Sequence, residues 1–266
     1  MEASLLKFAR MSRRFMEAGE VSTIFELGAR DCEESLGFCQ RFPKAVVHAF
    51  ECNPDTLPAC RRAAAQQPRI RLVEKAVSNQ AGTLTFMAVD KERSRSVWAD
   101  GNPGASSLFK VDNQWVDEEI VQKEIQVEAI RLDGYLESQG IPKVDLMWMD
   151  IQGAELMALQ GLGERLADVS LIHMEVEFRQ LYVGQPLFQD LKAFLNAQGF
   201  SLVGFTSFHR VAGDAVFANN RLNGGRPFSS DRWLYWRHKF LGTHYPRWAY
   251  FYLAQALRRV SEKKKP

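Results

Sequence analysis

Apolar residues along this chain gather into short runs separated by longer segments with helical spacing. "STIFEL" (22–27) predicts a first strand, and the mixed pattern from Glu33 to Arg41 predicts a helix. "AVVHAFE" (45–51) predicts a second strand, followed by a helix from Pro54 to Gln66, with Pro54 suited to a first turn. "IRLVEKAV" (70–77) reads as a third strand, and "GTLTFMAV" (82–89) alternates as an antiparallel addition should. Residues 90–123 lose periodicity and predict a loop-rich insertion that includes "DGNPGASSLFK". Strand patterns resume at "IQVEAIRL" (125–132), "VDLMWMD" (144–150) and "VSLIHMEVEF" (169–178). Short helices are predicted from "DGYLESQG" and from Ala154 onward. "PLFQDLKAFLNAQGF" (186–200) is an amphipathic helix ending at Gly199, and "SLVGF" with "DAVFAN" closes the pattern as a hairpin. Near-continuous apolar strands alternating with helices predict an α/β domain whose mostly parallel sheet is covered on both faces.

Charge divides the chain unevenly. Its 266 residues sum to +2, but residues 226–266 carry ten Lys/Arg against two acids, leaving about −6 on the first 225. Three segments follow: an N-terminal helical segment (1–21), an α/β domain (22–225) and a basic tail (226–266). The tail also holds 10 of the 30 aromatic residues. Its stretches "SSDRWLYWRHKF" and "PRWAYFYLAQALRRV" predict two helices, suited to an anionic membrane surface, a homodimer contact or packing on the domain. The small overall charge gives no reason to expect nucleic acid. The four cysteines lie between Cys32 and Cys60 without a C-x-x-C pair, which predicts reduced thiols rather than a metal site. No signal-peptide core or run of about 20 apolar residues is present, which predicts a cytoplasmic protein, peripheral at the inner membrane surface if the tail binds lipid.

Doubly wound sheets bind ligands beyond the carboxyl ends of their strands. Past the first strand lie Glu26, Gly28, Ala29, Arg30 and Asp31; past the second lies Glu51, 23 residues after Gly28. An acid at the end of a second strand accepts hydrogen bonds from an adenosine ribose. A dinucleotide would further need a glycine-rich turn to seat its pyrophosphate. Here the turn is "ARDCEES", and its three carboxylates repel phosphate and suit an ammonium or sulfonium. S-adenosylmethionine (SAM) carries both charges, a ribose and no phosphate, and is the expected cofactor. An NAD(P)-dependent oxidoreductase and a non-catalytic SAM-binding scaffold are the rival expectations.

Further acids end the later strands: Asp150 in "WMDIQGAEL", and Glu175 and Glu177 in "HMEVEF". Asp150 is the first candidate for a general base and Glu175 the second. No metal site is assigned, although oxygen donors from Asp150 and Glu175 could share a divalent cation. Glu155 is suited to starting the helix that follows. Ser106 and Ser107 can hydrogen-bond an acceptor or the cofactor, and their loop reads as a lid or acceptor wall.

Taken in order, "FELGARDCEES", "HAFECNP", "LVEKAVSNQAGTLTF", "GASSLF", "RLDGYL", "LMWMDIQGAEL" and "IHMEVEF" resemble the FkbM-type methyltransferases, from about Ser22 to Asn219. The resemblance implies a Rossmann-like class I methyltransferase fold, a seven-stranded sheet with an antiparallel terminal strand. It implies SAM contacts from residues 26–31, from Glu51 and from Ala76 near the adenine, and Asn53 and Ser107 are further cofactor-binding candidates. It also implies O-methylation of a sugar, a glycan or a secondary metabolite. Three positions depart from the family pattern: Trp148 stands where a lysine is common, Gln152 where a glutamate is, and Cys32 where many SAM loops have a further glycine.

Overall fold

The computed structural model describes residues 2–114 and 119–228. The tail helices expected beyond residue 228 lie outside the described residues. Ten strands occur among the described residues: β1 Thr23–Leu27, β2 Val46–Phe50, β3 Ile70–Val73, β4 Ala76–Val77, β5 Gly82–Val89, β6 Gln122–Ile130, β7 Val144–Met149, β8 Val169–Glu177, β9 Phe200–Phe208 and β10 Ala212–Asn219. Helices α1 Glu2–Ser12, α2 Glu33–Arg41, α3 Leu57–Gln66, α4 Leu132–Ser138, α5 Glu155–Gln160 and α6 Phe188–Ala197 alternate with them.

Seven strands form one sheet in the order β3-β2-β1-β7-β8-β10-β9. β10 runs antiparallel to both β8 and β9, and the other pairings are parallel. The class I methyltransferase fold with its antiparallel terminal strand is therefore borne out. Its strands read as apolar runs because helices cover both faces: Ile24, Phe25 and Leu27 of β1, and Leu146, Met147 and Met149 of β7, have no solvent exposure.

The expected third strand is two strands. The chain turns at Glu74–Lys75, where the Lys75 amide donates to the Val73 carbonyl (2.9 Å). β3 stays in the main sheet beside β2, whereas β4 pairs with β6 in a three-stranded sheet ordered β4-β6-β5. "GTLTFMAV" is the antiparallel neighbour of β6 in that second sheet. The helix expected from Pro54 begins at Leu57, because Asn53 first builds a turn whose carbonyl accepts from the Thr56 and Leu57 amides. α1 belongs with the sheet: Leu5 and Phe8 are buried, and Phe8 packs against Trp148 and His173 with ring centroids 5.9 and 5.0 Å away.

Candidate active site

Gly28 follows β1 with φ +84°, and a Cβ built there would stand 2.0 Å from the Asp150 carbonyl oxygen. Glycine is required at this point because the ends of β1 and β7 close on each other, rather than because a ligand approaches. The next turn passes through Arg30 (φ 51°) and Cys32 (φ 63°) before α2 begins. The carboxylate of Glu51 knits the turn to the end of β2. Its Oε2 accepts from the Arg30 amide (2.8 Å), and its Oε1 accepts from the Cys52 and Asn53 amides (both 2.7 Å). Oε1 is thereby filled, while Oε2 keeps lone-pair capacity.

A cavity of about 570 Å³ runs from this turn across the carboxyl edge of the sheet. Gly28, Arg30, Glu51, Asn53, Ala76, Asp150 and Glu175, all expected from the sequence, line it. Phe50, Ala76, Val77, Phe86 and Leu108 give one end an apolar lining. Four expected residues are not among its lining. Glu26 is buried under α2, where the Ser35 hydroxyl donates to it. Ala29 is buried in the core beneath the turn, and the Asp31 carboxylate accepts from the Glu33 amide (3.1 Å). Ser107 faces inward and donates to the Gln152 carbonyl (2.7 Å), so Ser106 stands on the cavity wall in its place.

The opposite end is built by strand register. β8 pairs with β7 as far as Met149 and Met174, and the next step sets Asp150 opposite Glu175. β10 then sets Asp214 opposite Glu175, and β9 sets Ser207 opposite Asp214. Paired residues share a face, so one row of the sheet carries Asp150, Glu175, Asp214 and Ser207, and all four line the cavity. Beneath Asp150 and Glu175, Trp148 stacks on His173 at 3.6 Å and 6°. Ser4 of α1 reaches the same cavity and donates to Asp214 Oδ2 (2.9 Å).

Gln152 holds the two expected catalytic acids. Its Nε2 donates to Asp150 Oδ1 and to Glu175 Oε2 (2.8 Å), and its Oε1 accepts from the Tyr182 hydroxyl (2.6 Å). Only an amide can serve two carboxylates and a hydroxyl in this way, which explains glutamine at this position. Burial pushes Asp150 above the usual carboxylate range, opposed by the Gln152 hydrogen bond. Burial and the neighbouring Asp150 push Glu175 well above it. Glu155 accepts from the Ile151 amide (3.0 Å) and secures the turn before α5, the role expected of it. His173 is a buried residue whose Nε2 meets the Thr206 hydroxyl (2.7 Å), and burial lowers its pKa to about 4.

The insertion covers the Arg30 and Asn53 side of the cavity. The Arg30 guanidinium pairs with Asp100 (2.8 Å) and lies over the Trp98 ring (5.2 Å), and Asn53 Nδ2 donates to Ser106 Oγ (3.1 Å). No group of three or more His, Cys, Asp or Glu residues placed to hold a metal ion occurs among the described residues. No helix among them is long and apolar enough to cross a membrane.

The family model of the methyltransferase FkbM domain matches residues 26–202. The chain belongs to the FkbM methyltransferase family. This FkbM methyltransferase is 32% identical over 202 residues to the 2-O-methyltransferase NoeI of Sinorhizobium fredii, spanning 75% of this chain and 80% of that protein. It is 26% identical over 166 residues to the methyltransferase sdnD of Sordaria araneosa, spanning 53% and 60%. Among solved structures it is similar to the fibrillarin pre-rRNA processing protein of Methanococcus jannaschii (14% identity, TM-score 0.45, 76% and 68% covered). It is also similar to Aeropyrum pernix fibrillarin with bound S-adenosyl-L-methionine (11% identity, TM-score 0.44, 80% and 74% covered). As an FkbM methyltransferase the chain is an enzyme that draws its methyl group from SAM, and the oxidoreductase reading is set aside.

Sequence reasoning missed Ser4, Ser207 and Asp214 in this FkbM methyltransferase. The one signal for Asp214 is a lone charge in an otherwise apolar strand segment, "DAVFAN". Nothing in the sequence relates it to Glu175, 39 positions earlier.

Proposed function

We propose that this methyltransferase transfers the SAM methyl group to a hydroxyl of a sugar, a glycan or a secondary metabolite, with Asp150 as general base. The observation that carries the reading is the Asp150–Glu175 pair, bridged by Gln152, on the wall of a cavity continuous with Glu51. The name of the relative NoeI, a 2-O-methyltransferase, supports oxygen as the acceptor atom.

The residues present fit the cofactor. Glu51 Oε2 receives a ribose hydroxyl, and Ala76, Val77, Phe86 and Leu108 line an apolar slot for the adenine. Asp150 lies where a cation is favoured over an anion. When bound, SAM supplies a methyl already activated on sulfur, which in-line attack by the acceptor oxygen releases as the methyl ether and S-adenosylhomocysteine. Positioning supplies much of that rate, so the chain's part is to align the acceptor and take its proton. Burial holds Glu175 well above the usual carboxylate range, whereas the Gln152 hydrogen bond opposes the rise at Asp150. Asp150 is then the ionised member, and its carboxylate accepts the hydroxyl proton as the new C–O bond forms.

The test pairs two measurements. Asp150→Asn should cut kcat about 100-fold or more while the SAM Kd, read by calorimetry, stays within about threefold. Near-wild-type turnover would remove Asp150 from the chemistry. SAM binding without transfer from methyl-labelled SAM into any extract component would leave a scaffold instead.

A further inference from the structure

The cavity has a wall that the family model does not reach. Matched residues end at 202, yet Ser207 and Asp214 of the terminal hairpin and Ser4 of α1 all line the cavity. The wall is fastened at several points. The Ser4 hydroxyl donates to Asp214 Oδ2 at 2.9 Å, and the Thr206 hydroxyl lies 3.5 Å from the same oxygen. Lys7 donates to the Thr206 carbonyl (2.7 Å), and Phe8 is fully buried against the Trp148–His173 stack. Asp214 Oδ1 has no hydrogen-bond partner among the described residues. One carboxylate oxygen is therefore held by α1 while the other remains available on the cavity side of the strand.

Position gives this wall its role. Adenosine requires the apolar end near Ala76 and Phe86, so the acceptor enters from the end where Ser4, Ser207 and Asp214 stand. Asp150 and Asp214 are two strands apart in one cross-strand row, a separation of roughly 10 Å between backbones. A pyranose ring is roughly 5 Å across its hydroxyls, and a hydrogen bond of about 2.7 Å at each side spans the same gap. The acidic side chains around this end are Glu34, Asp150, Glu175 and Asp214; His209 of the hairpin also lines the cavity, and Arg30 is turned toward Asp100 and Trp98. An anionic group on the ring would face these four carboxylates.

We infer that Asp214, oriented by Ser4, is an acceptor-binding residue that takes a second hydroxyl or an ammonium of a sugar ring while Asp150 faces the hydroxyl to be methylated. α1 and the terminal hairpin thus form the specificity wall, and the acceptor ring is neutral or amino-bearing rather than carboxylated or phosphorylated. This rests on the sugar-hydroxyl reading above.

The probes are methyl pyranosides of gluco, galacto and manno configuration in neutral, 2-amino and uronic acid forms. Each is titrated by saturation-transfer NMR into the full chain saturated with S-adenosylhomocysteine. Neutral and amino forms should bind, and the uronic acids should bind at least about tenfold more weakly. Asp214→Asn should weaken sugar binding about fivefold or more and erase any preference for the amino form, with the SAM Kd unchanged. Ser4→Ala, a surface-helix change that leaves β10 intact, should weaken sugar binding in the same direction. Equal binding of uronic acids, unaltered sugar affinity in Asp214→Asn, or no binding by any member of the panel would overturn the inference. Intact SAM binding in those cases leaves the methyltransferase standing, whereas loss of wild-type SAM binding would count against the parent reading instead.

Discussion

Gln152 shows how one side chain tunes two others. With φ at 55° its amide is turned toward Asp150 and Glu175, and Tyr182 fixes the direction of the amide oxygen. Replacing it with glutamate puts a third carboxylate against two that already share a buried setting. Like charges at close range raise carboxylate pKa values. Gln152→Glu should therefore move the acid limb of the kcat/KM profile to higher pH, by about 1 unit or more. An unmoved or lowered limb would show that Gln152 does not govern the pair. Glu51 is the complementary case. Burial raises its pKa, and three backbone amides oppose that rise, so the fold holds this carboxylate oriented at the cavity wall.

At the scale of elements, the site depends on close approach between strand ends. Gly28→Ala would put a Cβ 2.0 Å from the Asp150 carbonyl, at a φ of +84° that already costs about 1–3 kcal/mol for a non-glycine residue. The variant should melt at a clearly lower temperature and bind SAM more weakly, both measurable by differential scanning fluorimetry with and without cofactor. A Tm equal to wild type would mean the two turns are not packed as described. The break between β3 and β4 acts at the same scale. By leaving the main sheet at Glu74–Lys75, the chain carries Ala76 into the second sheet and on to the cavity wall.

Over the whole molecule, buried acids set the response to pH. Burial pushes Glu34 and Glu155 each up to about 7, and holds Glu26, Glu175 and Glu177 well above the usual range. Between pH 5 and 7 the folded chain therefore binds more protons than the unfolded chain at these positions, so stability falls as pH rises through that window. Burial lowers His48 and His173 to about 4, and they act in the opposite sense, adding stability as pH rises toward 6.5. Among the described residues these acids, with Asp150 and Glu51 also raised by burial, outnumber the two histidines. The cofactor-free protein should melt at a lower temperature at pH 7.5 than at pH 5.5, and Glu155→Gln should flatten that slope. SAM should restore more of the Tm at pH 7.5, where ionised carboxylates meet its sulfonium. A Tm that rises across the same window would contradict the burial of these acids.

What could be read from the chain alone was local. Strands buried on both faces appear as apolar runs, and residues at their carboxyl ends fall near any ligand of such a sheet, which made Gly28, Glu51, Asp150 and Glu175 visible. The acidity of "ARDCEES" likewise speaks for a cation over a phosphate. Register across strands was not local. Only the insertion of β10 between β8 and β9 brings Asp214 beside Glu175, and only the docking of α1 by Phe8 and Lys7 brings Ser4 to Asp214. The Glu51 side of the cavity joins turns 21 to 70 positions apart. The Asp214 side comes from pairings between segments up to 210 positions apart, and such pairings leave no periodic trace in a single sequence.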